Sequence, residues 1–197
     1  MSDLARLWPL PDQGLRERLE RAYDGPARGY HDRLHLTEVL HHVDDLLPAA
    51  HPALDVVLLA AWFHDAVYDG GADDEERSAR LAESWLDEPP AHEVSRLVRM
   101  TADHRPAEDD LAGQVLCDAD LAILAAGPER YAAYVAGVRA EHQHVSDRDF
   151  AAGRAAVLRD LLAKRTLFHT DTARRRWEVQ ARANAEAELA RLEERST

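Results

Sequence analysis

Residues 54–71 read LDVVLLAAWFHDAVYDGG, and the fold follows from how this stretch can be accommodated. LDVVLLAAWF is apolar on nearly every face, which predicts a helix enclosed by protein on all sides. Its apolar run, Val56–Phe63, is far shorter than the roughly 20 residues that span a bilayer. Asp69-Gly70-Gly71 is a stop signal. Between the two stand His64 and Asp65. A carboxylate at the end of a buried helix is costly unless it is ion-paired or bound to a metal, and neither sequence neighbour supplies a cation.

Outward from this helix the chain looks helical throughout. Val, Ile and Thr, the usual strand formers, fill only 13, 1 and 6 positions, while Ala, Leu, Arg and Glu dominate. No proline follows Pro128, and Pro26, Pro48, Pro52, Pro89, Pro90 and Pro106 are spaced like connections between helices. Periodicity predicts helices near 12–24, 36–48, 53–68, 74–87, 91–103, 111–126, 129–144, 147–163 and 172–194. Asp73 with Glu76 fits a capping box, Ser146 precedes a periodic run, and Gly127-Pro128 places proline in a first turn. Trp177, Ala181, Ala185, Leu189 and Leu192 form an apolar stripe on the last helix, which should pack on the core and could also serve a homodimer. The expectation is an all-α, single-domain helical bundle over 1–197.

Composition narrows the partners. With 197 residues and 46% apolar content the chain suits one domain. Lys+Arg 24 against Asp+Glu 37 leaves −13, a surplus that repels nucleic-acid polymers and anionic membrane surfaces alike. A single cysteine, Cys117, excludes an intrachain disulfide framework and suits a reducing compartment. The start, MSDLARLWPLP, lacks a basic stretch followed by an apolar one. A soluble cytoplasmic protein is expected.

Two more segments carry chemistry. VLCDADLAIL (115–124) sets Asp118 and Asp120 inside an apolar helical run where aspartate has poor propensity. YHDRLHL (30–36) places His31 and His35 four apart, on one face if the helix begins that early. His104 ends RLVRMTADH (96–104). Imidazoles and carboxylates from three helices would meet their buried charge by coordinating a divalent cation. The plainer alternatives are a hydrogen-bonded core His64, an Asp65 paired with arginine, and an Asp118 capping a helix from Ala119. His41, His42, His51, His92, His142, His144 and His169 read as surface or cap residues.

YHDRLH (30–35), WFHDAVYD (62–69), DDEERSA (73–79), TADH (101–104), DADLAILA (118–125), YAAYVAGVRAEH (131–142), GRAAVL (153–158) and E-x-x-AR-x-N (178–184) occur in that order. The set resembles the HD superfamily of metal-dependent phosphohydrolases, within it a bacterial subgroup of predicted HD phosphohydrolases, over about residues 30–192. The resemblance implies an HD-type helical domain with one divalent ion (Mn, Co, Ni, Fe or Mg) on His35, His64, Asp65 and Asp120, with Asp118 the rival of Asp120. It implies hydrolysis of a small phosphorylated substrate such as a nucleotide. Asp65 would take a proton from the attacking water, and His104 or Glu75 would act as general acid. Arg33, Arg139 and Arg154 lie in motif positions and become the candidates for substrate phosphate. Tyr68-Asp69 stands where the superfamily's guanosine-tetraphosphate hydrolases have Glu-Asp, which argues against that activity. The alternative function is a metal-containing module that senses a nucleotide without turnover.

Overall fold

A computed structural model describes residues 3–194, all of whose regular elements are helical. Residues 1–2 and 195–197, the ends of the expected 1–197 domain, lie outside the described residues. The helices are α1 (Asp3–Arg6), α2 (Gln13–Ala22), α3 (Arg33–Leu46), α4 (Leu54–Phe63), α5 (Asp74–Trp85), α6 (Pro90–Met100), α7 (Leu111–Leu121), α8 (Pro128–Glu141), α9 (Asp147–Ala163) and α10 (Asp171–Glu194). The fold is therefore all-α, as the composition predicts. Among the described residues, no single helix is long and apolar enough to cross a membrane.

Helix α4 is the axis of the bundle. Val57 through Phe63 are all buried, and α3, α5, α6 and α7 surround it. Full burial of Trp62 and Phe63 alone contributes roughly 2–3 kcal/mol each. A second apolar cluster joins Tyr30, Tyr131 and Tyr134 to Leu167, Phe168, Trp177 and Ala181 of the C-terminal half, and Leu46 packs against both clusters. Helix α7 crosses the seam: Ala119 belongs to the first cluster and Ala122 to the second.

Local chemistry departs from the periodicity in instructive places. The helix expected over 53–68 stops at Phe63 because the next amides find side-chain acceptors. Asp65 N–H donates to Tyr23 Oη (3.3 Å) and Val67 N–H to Ser78 Oγ (3.0 Å). Helix α3 starts at Arg33, earlier than the periodic run, because Asp32 caps it by accepting from Leu34 N and His35 N. His31 therefore precedes the helix and does not share its face with His35. Asp73 occupies the N-cap of α5 without a capping bond; instead Asp74 Oδ2 accepts from the amides of Asp69, Gly70 and Gly71 at 2.9–3.0 Å. Ser146 caps α9 and Pro128 opens α8 as expected. The run 111–126 tightens into a 3-10 turn at Ala122–Ala125, and the short α1 had no periodic signature. In the stripe on α10, Trp177, Ala181 and Ala185 are buried within the chain, while Leu189 and Leu192 are half-buried.

Candidate metal centre

Three helices deliver side chains to one point on the seam. His35 comes from the first turns of α3, His64 from the C-cap of α4 and Asp120 from the last turn of α7, with Asp65 directly after His64. His35, His64 and Asp120 each offer a ligand atom, and the three atoms lie within 4.8 Å of one another. His35 Nε2 is 3.1 Å from His64 Nε2, 3.2 Å from Asp120 Oδ1 and 3.4 Å from Asp65 Oδ2. His64 Nε2 is 3.0 Å from Asp65 Oδ2 and 3.8 Å from Asp120 Oδ1.

Those separations fit a shared cation. Ligand atoms each about 2.1 Å from one ion stand roughly 3.0 Å apart at right angles and roughly 3.4 Å apart at the tetrahedral angle. The donor chemistry agrees. His64 Nδ1 faces the Ala61 carbonyl oxygen at 2.7 Å and must donate to it, so the neutral ring keeps its Nε2 lone pair towards the cluster. Two imidazoles facing each other nitrogen to nitrogen beside two carboxylates need positive charge between them. Among the described residues no Arg or Lys side chain pairs with Asp65 or Asp120; their ionic partners are histidines.

The electrostatics express the same demand. Burial penalises charge on Asp65, but His64, His31 and His35 outweigh it and hold the carboxyl well below the usual range. Asp120, half-buried, is likewise held low against its burial penalty by His104 and His35. Burial pulls His35 down, yet Asp120 and Asp65 push it up to about 10, and His64 is raised mainly by Asp65 against the same burial.

Of the other expected residues, His104 joins the site: Nε2 lies 2.9 Å from Asp120 Oδ2. Its φ of 53° is a left-handed conformation that costs a non-glycine residue roughly 1–2 kcal/mol. Glu75 is half-buried and is raised by burial and by the charges of Asp65 and Asp74, while His104 opposes the rise. Asp118 does not join. Its carboxylate accepts from His169 N (2.7 Å) and Thr170 N (2.8 Å), pinning the approach to α10 rather than capping a helix at Ala119. The three arginines are engaged elsewhere. Arg33 pairs with Asp24, Arg139 with Asp147, and Arg154 with Glu188 and the Tyr134 hydroxyl. Among the histidines expected at the surface, His42 is half-buried with its Nδ1 unpartnered, beside Trp177, and His169 is half-buried as well.

Beside the site, Glu141 and Arg28 had no expectation attached, and Tyr68 had none beyond standing where the guanosine-tetraphosphate hydrolases have Glu. Glu141 Oε1 accepts from Tyr30 N (2.8 Å) and His31 N (2.9 Å), while Oε2 meets His31 Nδ1 (2.8 Å) and the Tyr68 hydroxyl (3.1 Å). Tyr68 in turn stacks on His31, ring centroids 4.0 Å apart. Arg28 donates to the carbonyls of His31 (2.6 Å) and Ala66 (3.2 Å) and lies over the rings of Tyr23 and Tyr68, bridging the two site loops. The available signal was Glu141 itself, a carboxylate in the last turn of a helix where the macrodipole disfavours one. Gly29 and Gly137 bring the 29–31 turn onto α8 so closely that a Cβ on Gly137 would stand 2.4 Å from the Gly29 carbonyl oxygen.

The chain matches no family model, no curated protein and no solved structure, so the site itself is the ground for a functional reading.

Proposed function

We propose that this chain is a metal-dependent phosphohydrolase of the HD-domain type, acting on a small phosphate ester or nucleotide. The observation that carries the reading is the convergence of His35, His64 and Asp120 on one buried point, with Asp65 Oδ2 within 3.4 Å of both imidazoles. His35, His64, Asp65 and Asp120 would hold the ion, and their mixed nitrogen and oxygen donors suit Mn, Co, Ni, Fe or Mg. A divalent cation there supplies Lewis-acid charge against a phosphoryl oxygen and acidifies water.

The chain's own residues do the rest. Asp65, whose Oδ2 stands 3.0 Å from His64 Nε2 and 3.4 Å from His35 Nε2, would accept the proton of the attacking water. Glu75, whose pKa is raised by burial and by the charges of Asp65 and Asp74, is the proton donor for the leaving oxygen, and His104 holds Asp120 in place. Arg28, donating to the His31 and Ala66 carbonyls, ties together the loops that carry His31 and Asp65. The test is metal analysis of the purified protein followed by phosphate release from a panel of nucleotides and phosphomonoesters. Stoichiometric divalent metal with turnover that Asp65→Ala abolishes supports the reading. Absence of metal, or metal without turnover on any substrate, sinks it, the latter in favour of a sensing module stabilised by ligand.

A further inference from the structure

A groove of about 500 Å³ is lined in part by His104, the residue whose Nε2 holds Asp120. Its walls carry Arg105, Lys164, Arg165 and His169, with Asp160 the one carboxylate among them. Three fixed cations against one acid is the reverse of the chain as a whole, at −13, and Lys164 is its only lysine. The cations are lightly used. Arg105 meets Asp160 only at 3.9 Å between exposed side chains, and Lys164 Nζ contacts the Asp103 carbonyl oxygen at 3.3 Å. Among the described residues Arg165 has no ion-pair partner, and His169 Nε2 is buried without a hydrogen-bond partner.

The groove wall is also built, although 164–170 has no regular structure. Arg182 donates to the carbonyls of Leu162, Lys164 and Arg165, Glu178 accepts from Leu167 N and Phe168 N, and Asp118 accepts from His169 N and Thr170 N. Asp118 lies two residues before Asp120, so one helix fixes both the groove wall and a ligand of the metal cluster. A buried carboxylate and two ion-paired residues spent on holding an irregular loop place its charges in a defined position.

We propose that this groove is an anion subsite formed by Arg105, Lys164 and Arg165, which takes a second phosphate of the substrate while the scissile one lies at the cluster. The substrate is then a di- or polyphosphorylated small molecule rather than a simple monoester. This substrate assignment rests on the hydrolase reading; the anion subsite does not.

The two are separated by measuring binding without metal. Inorganic tripolyphosphate is titrated into chelator-treated full-length protein by calorimetry at low ionic strength. The wild type is expected to bind one equivalent, and Lys164→Ala/Arg165→Ala to bind roughly tenfold more weakly or worse. The charge-matched control Arg6→Ala/Arg80→Ala, whose arginines pair with Asp44 and Glu76, should bind as the wild type does. No wild-type binding, unchanged binding by the groove variant, or an equal loss in the control overturns the subsite. In the metal-loaded protein the groove variant should raise KM for a bisphosphate substrate at unchanged kcat, with p-nitrophenyl phosphate unaffected. An equal effect on both substrates overturns the assignment of a second phosphate, and absence of all turnover counts against the hydrolase reading while leaving the calorimetric result standing.

Discussion

Glu141 and His31, 110 residues apart in the chain, meet through two contacts: the carboxylate accepts the His31 amide at 2.9 Å and faces its Nδ1 at 2.8 Å. The pair closes α8 onto the turn that precedes α3. Burial works against the charge, yet His31 and the amides of Tyr30 and His31 hold Glu141 down at about 2, against an ordinary value of 4.5. A carboxyl that is lower in the folded state stabilises the fold fully above its unfolded value and loses that contribution as pH falls from 4.5 towards 2. With a side chain only 2% exposed, the shift corresponds to about 3 kcal/mol at most. Urea unfolding should therefore show Glu141→Gln less stable than wild type by about 2–3 kcal/mol at pH 7, with the gap narrowing below pH 4.5. A gap that stays constant down to pH 3 would refute the linkage.

Asp118 and Asp120 differ in their contacts although both interrupt the same apolar helix: Asp118 holds the amides of His169 and Thr170, whereas Asp120 meets His35 and His104. Asp118→Ala removes the acceptor of two backbone amides and should cost about 3 kcal/mol of stability while leaving metal content intact. Asp120→Ala, like His64→Ala, should instead lose metal affinity at least tenfold, by order of magnitude. Chelator should then lower the melting temperature of wild type and of Asp118→Ala but not of Asp120→Ala. The checks are metal analysis and thermal unfolding with and without chelator; metal loss in Asp118→Ala and not in Asp120→Ala would reverse the assignment.

Glu75 differs from both: among the described residues no hydrogen bond ties it to the cluster, and it is linked through the fields of Asp65 and His104. As proton donor to the leaving oxygen, its replacement in Glu75→Gln should lower kcat about 100-fold, the scale of general acid catalysis, without changing metal content. A substrate whose leaving group needs no proton, such as p-nitrophenyl phosphate, should lose far less. Equal loss on both substrates would remove Glu75 from that role.

Helix positions were legible because apolar period and caps act locally: α8, α9 and α10 lie close to where the pattern puts them. The candidate cluster was legible for a related reason, since His64, Asp65 and Asp120 interrupt apolar helices and a charge in such a place demands a partner, and His35, His64 and Asp120 do come close enough to hold an ion. What was not legible is which partner each charge finds across the fold. Asp118 and Asp120 give the same local signal, and only the approach of residues 169–170 tells them apart. Arg33, Arg139 and Arg154 sit in suggestive motifs but spend their charge on Asp24, Asp147 and Glu188, contacts of 9, 8 and 34 residues' separation. Glu141 escaped notice because its partners lie more than 70 residues upstream.

The Gly29–Gly137 approach is the steric condition for the Glu141–His31 pair. A Cβ on Gly137 would stand 2.4 Å from the Gly29 carbonyl oxygen and 3.1 Å from Tyr30 Cβ, and neither neighbour is a flexible side-chain end that could swing aside. Gly137→Ala should therefore push the 29–31 turn off α8 and cost about 1–3 kcal/mol, the range for overpacking a tight contact. The displacement acts on His31 and Tyr30 but not on the α4 and α7 side of the cluster, so metal should still bind while the contact between His31 and Glu141 lengthens. Chemical unfolding with metal analysis, together with the shift of the His31 ring resonances, reads both parts. A Gly137→Ala protein as stable as wild type, with His31 resonances unmoved, would show that the turn accommodates the methyl group and that the close approach is not what sets the pair.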